Sequence, residues 1–147
     1  EFVLEKTHIR VVWLDTKDVD VVPASIELLT EINERAVLMG RDLKIYIGIP
    51  ADDVFEKFIS QPNYQEVPSL CELSIDQVRQ ANSLIWAPRW TQGTQNASVQ
   101  QMQAEGRKVF TWTLDDATYI KEFISEGQFD GILTNYPTIV SYYHYIK

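Results

Sequence analysis

Apolar residues recur along this chain with two alternating periods. Runs of β-branched and aromatic residues at 9–15, 43–49, 67–73, 84–87, 109–113 and 131–134 predict strands, and the stretches between them carry apolar residues at helical spacing. Pro23 opens a helix expected to reach Met39, with Ile26, Leu29, Ile32, Ala36 and Val37 on one face and Gly40 as its stop. A second helix is expected at 52–59, ended by Pro62. Ser74-Ile-Asp-Gln77 has the form of a capping box and starts a short helix. Helices at 97–105 and 117–126 are closed by Gly106 and Gly127, and a Tyr-rich helix begins at Thr138. Such alternation implies parallel strands joined by right-handed crossovers, an α/β fold.

The last part of the chain adds a second regularity. Val109-Phe-Thr-Trp-Thr-Leu-Asp-Asp116 and Phe129-Asp-Gly-Ile-Leu-Thr-Asn-Tyr-Pro137 are apolar runs that stop at Thr, Asp or Asn. Polar residues at the carboxyl ends of parallel strands line the crevice where α/β folds bind ligands. The first strand closes the same way, at Asp15-Thr-Lys17-Asp18.

Length and charge narrow the possibilities. With 147 residues and 45% hydrophobic content the chain is expected to form a single domain, residues 1–147. Two architectures fit: a five-stranded doubly wound sheet, or just over half of an eight-stranded barrel, which typically needs ~250 residues. A formal net charge of -8 and a pI near 4.7 argue against a nucleic-acid or anionic-membrane partner held by clustered Lys and Arg, so no nucleic acid is expected and a small-molecule partner fits better. No apolar run has the ~18 residues of a membrane span. The one cysteine, Cys71, reads as a packing residue and says nothing of compartment, so localisation is unknown from the sequence.

Candidate chemistry lies at the strand ends. Asp15 and Lys17, two residues apart, project to the same side of a strand. A carboxylate there can ligate a hard cation such as Mg²⁺ or Ca²⁺, and the ammonium beside it can neutralise a phosphate. The plain alternative is a solvated surface ion pair. Trp86-Ala-Pro-Arg-Trp90 would place two indoles and a guanidinium on a loop, with Arg89 available to a phosphate and the rings to an apolar or sugar group; loop packing is the competing reading. His8 and His144 read as surface or packing residues. Tyr142 and Tyr145 share a helix face and are expected to pack on the exterior, or at a dimer contact.

On these residues the chain resembles the glycerophosphodiester phosphodiesterase family. "RKVFTWTLDD" followed by "GQFDGILTNYP" is similar to the family's carboxyl-terminal pair of strand motifs, and "VVWLDTKD" to its fourth barrel strand, which ends in an acidic residue, a spacer and Lys. The resemblance implies a partial (β/α)8 TIM-type barrel, strands four to eight, and metal-dependent hydrolysis of a glycerophosphodiester to an alcohol and glycerol phosphate. It implies Asp15 as a ligand of the divalent cation, Lys17 as a phosphate contact and Trp112 as a wall of the substrate pocket. Asp130 and Gly131 would shape the turn into the last strand. Asp15 stands where the family usually has Glu, and Asn135 where it usually has Asp. The family's two catalytic histidines, the first followed by Arg-Gly, have no counterpart here, so none of the His pair is present and the fragment alone is expected to be inactive.

Two rivals stand beside this reading: a degenerate barrel that binds a phosphate ligand without catalysis, and a complete doubly wound interaction module. A partial barrel leaves its first and last strand edges unpaired. Missing amino-terminal strands or a second copy are therefore expected to complete it.

Overall fold

The structure, a computed structural model, describes the backbone of residues 2–146 and side chains from Leu4 to Ile146. Two compact units, Glu1–Ser83 and Leu84–Lys147, divide the chain. The first contains α1 (Phe2–Lys6), β1 (Val11–Leu14), α2 (Val22–Leu38), β2 (Lys44–Ile49), α3 (Asp52–Ile59), β3 (Ser69–Cys71) and α4 (Ile75–Gln80). The second contains β4 (Ile85–Trp86), α5 (Asn96–Ala104), β5 (Lys108–Thr111), α6 (Ala117–Ser125), β6 (Gly131–Ile132) and α7 (Pro137–Tyr145). Both short apolar runs, at 67–73 and 84–87, form strands, so the described residues carry all six strands that the pattern predicts, one more than barrel strands four to eight would supply.

In the first unit β1 pairs with β2 and β2 with β3, all parallel, with Leu14 opposite Ile47 and Ile47 opposite Ser69. Ile45, Ile47 and Ile49 of β2 are buried, together with Leu29 and Ala36 of α2 and Val54, Phe55 and Phe58 of α3. Burying a side chain such as Phe58 stabilises by about 1.5–3 kcal/mol. Cys71 lies in this core, and burial pushes its thiol pKa up to about 12, which fits a packing role. In the second unit β4 pairs with β5 and β5 with β6, again parallel, with Phe110 opposite Gly131. Its core cluster is Leu114, Ile120 and Phe123, against which Trp90, Phe129, Ile139 and Tyr143 pack.

Three of the helices end by one device. Gly40 (φ 64), Asn82 (φ 51) and Gly106 (φ 80) adopt left-handed conformations just past α2, α4 and α5. In each case the next residue's N–H returns to the last turn: Arg41 to Ala36 O, Ser83 to Val78 O and Arg107 to Met102 O, at 2.8–3.0 Å. These paired bonds satisfy carbonyls that the helix leaves open, and the chain turns directly into β2, β4 and β5. The helix starts behave as the sequence predicts where capping side chains exist. Ser74 and Gln77 form the expected capping box of α4.

Two glycines allow close packing of aromatics across neighbouring strands. A methyl group at Gly48 would run into Trp13 Nε1 and lie 2.9 Å from the Leu14 carbonyl oxygen. At Gly131 it would meet the Phe110 ring at 3.0 and 3.1 Å. Each aromatic therefore lies over a glycine, at Gly48 with no room for a side chain and at Gly131 with room only if the Phe110 ring shifts.

Asn33 supplies what β3 does not reach. Its side chain accepts from the Ile45 N–H (2.7 Å) and donates to the Ile45 carbonyl (3.0 Å), acting as a strand partner for β2 from within α2. β3 engages β2 only from Ile47 onward.

Two side chains depart from the sequence pattern. Val37 is 75% exposed, because Leu29 and Ala36 define the buried stripe of α2 and Val37 lies about 80–100° round the helix from it. On α7, Tyr143 turns inward to the core cluster while Tyr142 and Tyr145 face solvent.

Candidate functional site

At the carboxyl end of β1 the side chains split by parity. Thr16 is buried and its hydroxyl donates to the Leu14 carbonyl at 3.3 Å. Asp15 and Lys17 project to the other side, where Lys17 Nζ lies 3.0 Å from Asp15 Oδ2 with side chains 52% and 78% exposed respectively. Asp18 is held apart from this pair: it caps a 3-10 turn by accepting the Asp20 N–H at 2.9 Å. Trp13 shares the parity of Asp15, and its seat over Gly48 fixes the strand immediately before the pair.

In the second unit the strand ends are tied together. Trp112 donates its indole N–H to the Ala87 carbonyl (2.7 Å), and its own carbonyl accepts the Trp90 N–H (3.2 Å). The buried Thr111 hydroxyl donates to Pro88 O at 3.2 Å. Arg89, exposed, lies with its guanidinium carbon 4.8 Å from the Trp112 ring centroid, a cation–π contact worth about 0.5–1 kcal/mol at an exposed site. The guanidinium thus has a face on the indole and its N–H edges free to turn outward.

Asp115 closes the other side of the same segment. It accepts the Asn135 N–H (2.8 Å), the Asn135 side-chain amide (2.8 Å) and the Thr134 hydroxyl (3.0 Å). The Asn135 backbone bond first, then its side-chain amide, hold this carboxyl below the usual carboxylate range; partial desolvation opposes them and Thr134 adds to them. Asp116 caps α6 by accepting the Thr118 and Tyr119 N–H groups. Asp130 sits at the opposite end of the strands, shaping the entry to β6. Burial raises its pKa, but bonds from Lys108 (2.7 Å), Gln103 (3.0 Å) and the Val109 N–H (2.9 Å) outweigh that and leave it lowered.

The sequence-derived residues therefore fall into two pairs, Asp15 with Lys17 in the first unit and Arg89 with Trp112 in the second. Trp86 does not join them. It lies in β4 rather than on a loop and is 3% exposed, so its ring is packing and not a substrate surface. Trp90 packs on the Leu114 cluster and against Tyr119, ring centroids 4.9 Å apart. His8 is exposed ahead of β1, and His144 is exposed on α7 with its ring edge-on to Tyr145. Neither stands at a strand carboxyl end. The Asp115–Asn135 connection escaped the sequence reading; its only trace there was the polar ending of two adjacent strands.

A cation centre does not fit the described residues by themselves. A hard divalent cation takes about six or more oxygen ligands. Among the described residues no group of three His, Cys, Asp or Glu side chains converges, and Asp15 brings a single carboxylate already paired with Lys17.

No family model and no curated protein sequence matches the chain. Solved structures do. The chain matches, with a TM-score of 0.67, the crystal structure of a glycerophosphodiester phosphodiesterase from Parabacteroides distasonis, at 18% identity over 92% of this chain and 57% of that one. The fold of this chain is similar to part of that enzyme's fold. A phosphodiesterase from Oleispira antarctica in complex with the product sn-glycerol-3-phosphate matches with a TM-score of 0.57 and 12% identity, over 85% of this chain and 49% of that one. The chain spans about half the length of these solved structures. Its fold class is α/β, a partial (β/α)8 barrel, and the doubly wound alternative is set aside. No helix among the described residues is long and apolar enough to cross a membrane.

Proposed function

We propose that this chain is the carboxyl-terminal part of a phosphoric diester hydrolase of the glycerophosphodiester phosphodiesterase type, which converts a glycerophosphodiester and water to an alcohol and glycerol phosphate. The observation that carries the reading is where the exposed cations lie: Lys17 beyond β1 and Arg89 beyond β4, the latter seated on Trp112, in a chain whose fold matches phosphodiesterases. (β/α)8 barrels bind ligands at the carboxyl ends of their strands, and phosphate esters need fixed positive charge there. In the first unit Lys17 would neutralise a phosphate oxygen; in the second, by itself, Arg89 would offer a two-pronged donor beside the Trp112 face, which would bound an alcohol or glycerol moiety.

Proton transfer needs a group within hydrogen-bond reach of the reacting oxygens. His8 and His144 do not stand at strand ends, so that role falls to residues outside these 147, and the chain alone is expected to bind rather than turn over. A divalent cation, Mg²⁺ or Ca²⁺, would be held only together with ligands from outside these residues. Asp15 supplies one of its oxygen ligands, and the remaining ligands must come from elsewhere.

The same incompleteness defines a partner surface. β1 stands at one end of the strand order. Val11 is exposed on it and Ile9 just before it, as are Leu28 on α2 and Val21 and Met39 at its two ends. Parallel strands are covered on both faces by helices. A further strand-helix unit, from additional amino-terminal sequence or from a second copy, would cover this surface.

A non-catalytic module that binds a phosphate ligand is the second reading, favoured by the lone carboxylate at Asp15. One assay separates the two: hydrolysis of glycerophosphocholine or bis-p-nitrophenyl phosphate, with and without Mg²⁺ or Ca²⁺, by a polypeptide containing this chain and the rest of a barrel. Phosphomonoester release that falls in Lys17→Ala supports the hydrolase. Binding of sn-glycerol 3-phosphate without any turnover supports the module.

A further inference from the structure

We infer that Asp115 is a positioning residue that aims the Arg89–Trp112 surface at the phosphate ester, an inference that rests on the phosphodiester reading above. The segment 111–115 is fixed along both of its edges. On one side Thr111 and Trp112 bond to Ala87, Pro88 and Trp90, three hydrogen bonds that flank Arg89 and hold it against the indole. On the other side the Leu133 N–H bonds to Thr111 O (2.8 Å) and the Leu114 N–H to Leu133 O (2.9 Å), and beyond the last of these Asp115 gathers Thr134 and Asn135.

β6 itself is only two residues long, so its pairing with β5 is brief. The Asp115 carboxylate extends the connection past the strands by three further bonds, one to a backbone N–H that no strand partner takes. Without them Thr134-Asn135 is free to swing, and the outer support of Trp112 goes with it. Asp115 itself has its acceptors occupied from the 134–135 side and acts through Trp112, not on a ligand.

Charge and position make opposite demands, which gives a decisive test. A carboxylate near an anion site repels the anion, so if only charge mattered, removing it would tighten binding. If position matters, removing it loosens binding. Asp115→Asn keeps the geometry: its oxygen accepts the Asn135 N–H and Thr134 hydroxyl, and a flipped Asn135 amide accepts from its nitrogen.

The experiment titrates the 147-residue chain and its variants with sn-glycerol 3-phosphate and, separately, inorganic phosphate, following the indole and guanidinium N–H resonances by NMR. Asp115→Ala is expected to move the Trp112 indole resonance before any ligand is added and to weaken binding roughly tenfold or more. Asp115→Asn is expected to restore both. Asn135→Ala, which keeps the backbone bond, is expected to fall between and guards against Asp115→Ala failing to fold. Undiminished or tighter binding by Asp115→Ala, with wild type binding normally, overturns the positioning role alone. No binding by any form contradicts the phosphodiester reading and removes the positioning role with it.

Discussion

Asn135 reaches Asp115 twice, donating both its backbone N–H and its side-chain amide to the one carboxylate at 2.8 Å. An aspartate at 135 would keep the first bond and set a second carboxylate against the first. Wild-type Asp115 has a lowered pKa, so its stabilising contribution is complete above the unfolded carboxylate value and is lost as pH falls through the lowered one. In Asn135→Asp one of the two carboxyls is raised instead, and folding then favours proton uptake. The thermal midpoint of Asn135→Asp is expected to lie a few degrees below wild type at pH 7, with the gap closing as pH approaches about 4. Melts at a series of pH values check this; a gap that widens in acid would contradict it.

Gly48 is expected to tolerate no side chain. The alanine methyl would press on Trp13 and on the Leu14 carbonyl, and the backbone neighbour cannot rotate away. Gly48→Ala should cost about 1–3 kcal/mol in urea unfolding. Gly131→Ala, whose nearest neighbour is the Phe110 ring rather than backbone, should cost less.

Asn33→Ala removes a side chain that bonds both the N–H and the C=O of Ile45. A half-buried backbone group left without its partner costs about 1–3 kcal/mol, and urea denaturation should report a loss in that range. Asn33→Asp should recover part of it by accepting the N–H, while losing the bond to the carbonyl.

The architecture was largely readable because it rests on short-range signals. Period-two runs, Gly40 and Gly106 after helices, and the Ser74 box each act within a few residues, and all reappear in the structure. What escaped the sequence depends on contacts between distant segments. Asn33 meets Ile45, and Asp115 meets Asn135, twenty residues along, through side chains whose spacing carries no periodic mark. Trp86 belongs both to the run at 84–87 that predicts a strand and to the Trp86–Trp90 segment read as a loop, and its pairing with Val109 places it in the strand. Among the strand-end polar residues, the structure distinguishes those engaged in caps and ties (Asp18, Asp115, Asp116) from Asp15, Lys17 and Arg89, which face solvent.

That distinction has its own consequence for stability. An exposed ion pair contributes about 0–1 kcal/mol. Asp15→Ala and Lys17→Ala are therefore expected to leave urea midpoints close to wild type, in contrast to Gly48→Ala and Asn33→Ala. A large loss from either would mean that the pair holds the fold rather than a ligand.

The most direct test joins stability to turnover at one residue. Glycerophosphocholine hydrolysis is measured for a polypeptide that places this chain within a complete eight-stranded barrel, beside its Lys17→Ala variant and beside the 147-residue chain alone. The expected result is release of glycerol phosphate by the complete barrel, a fall in kcat/KM of roughly a hundredfold in Lys17→Ala with unchanged unfolding, and no release by the chain alone. Undiminished kcat/KM in Lys17→Ala, or turnover by the 147 residues unaided, would contradict the account.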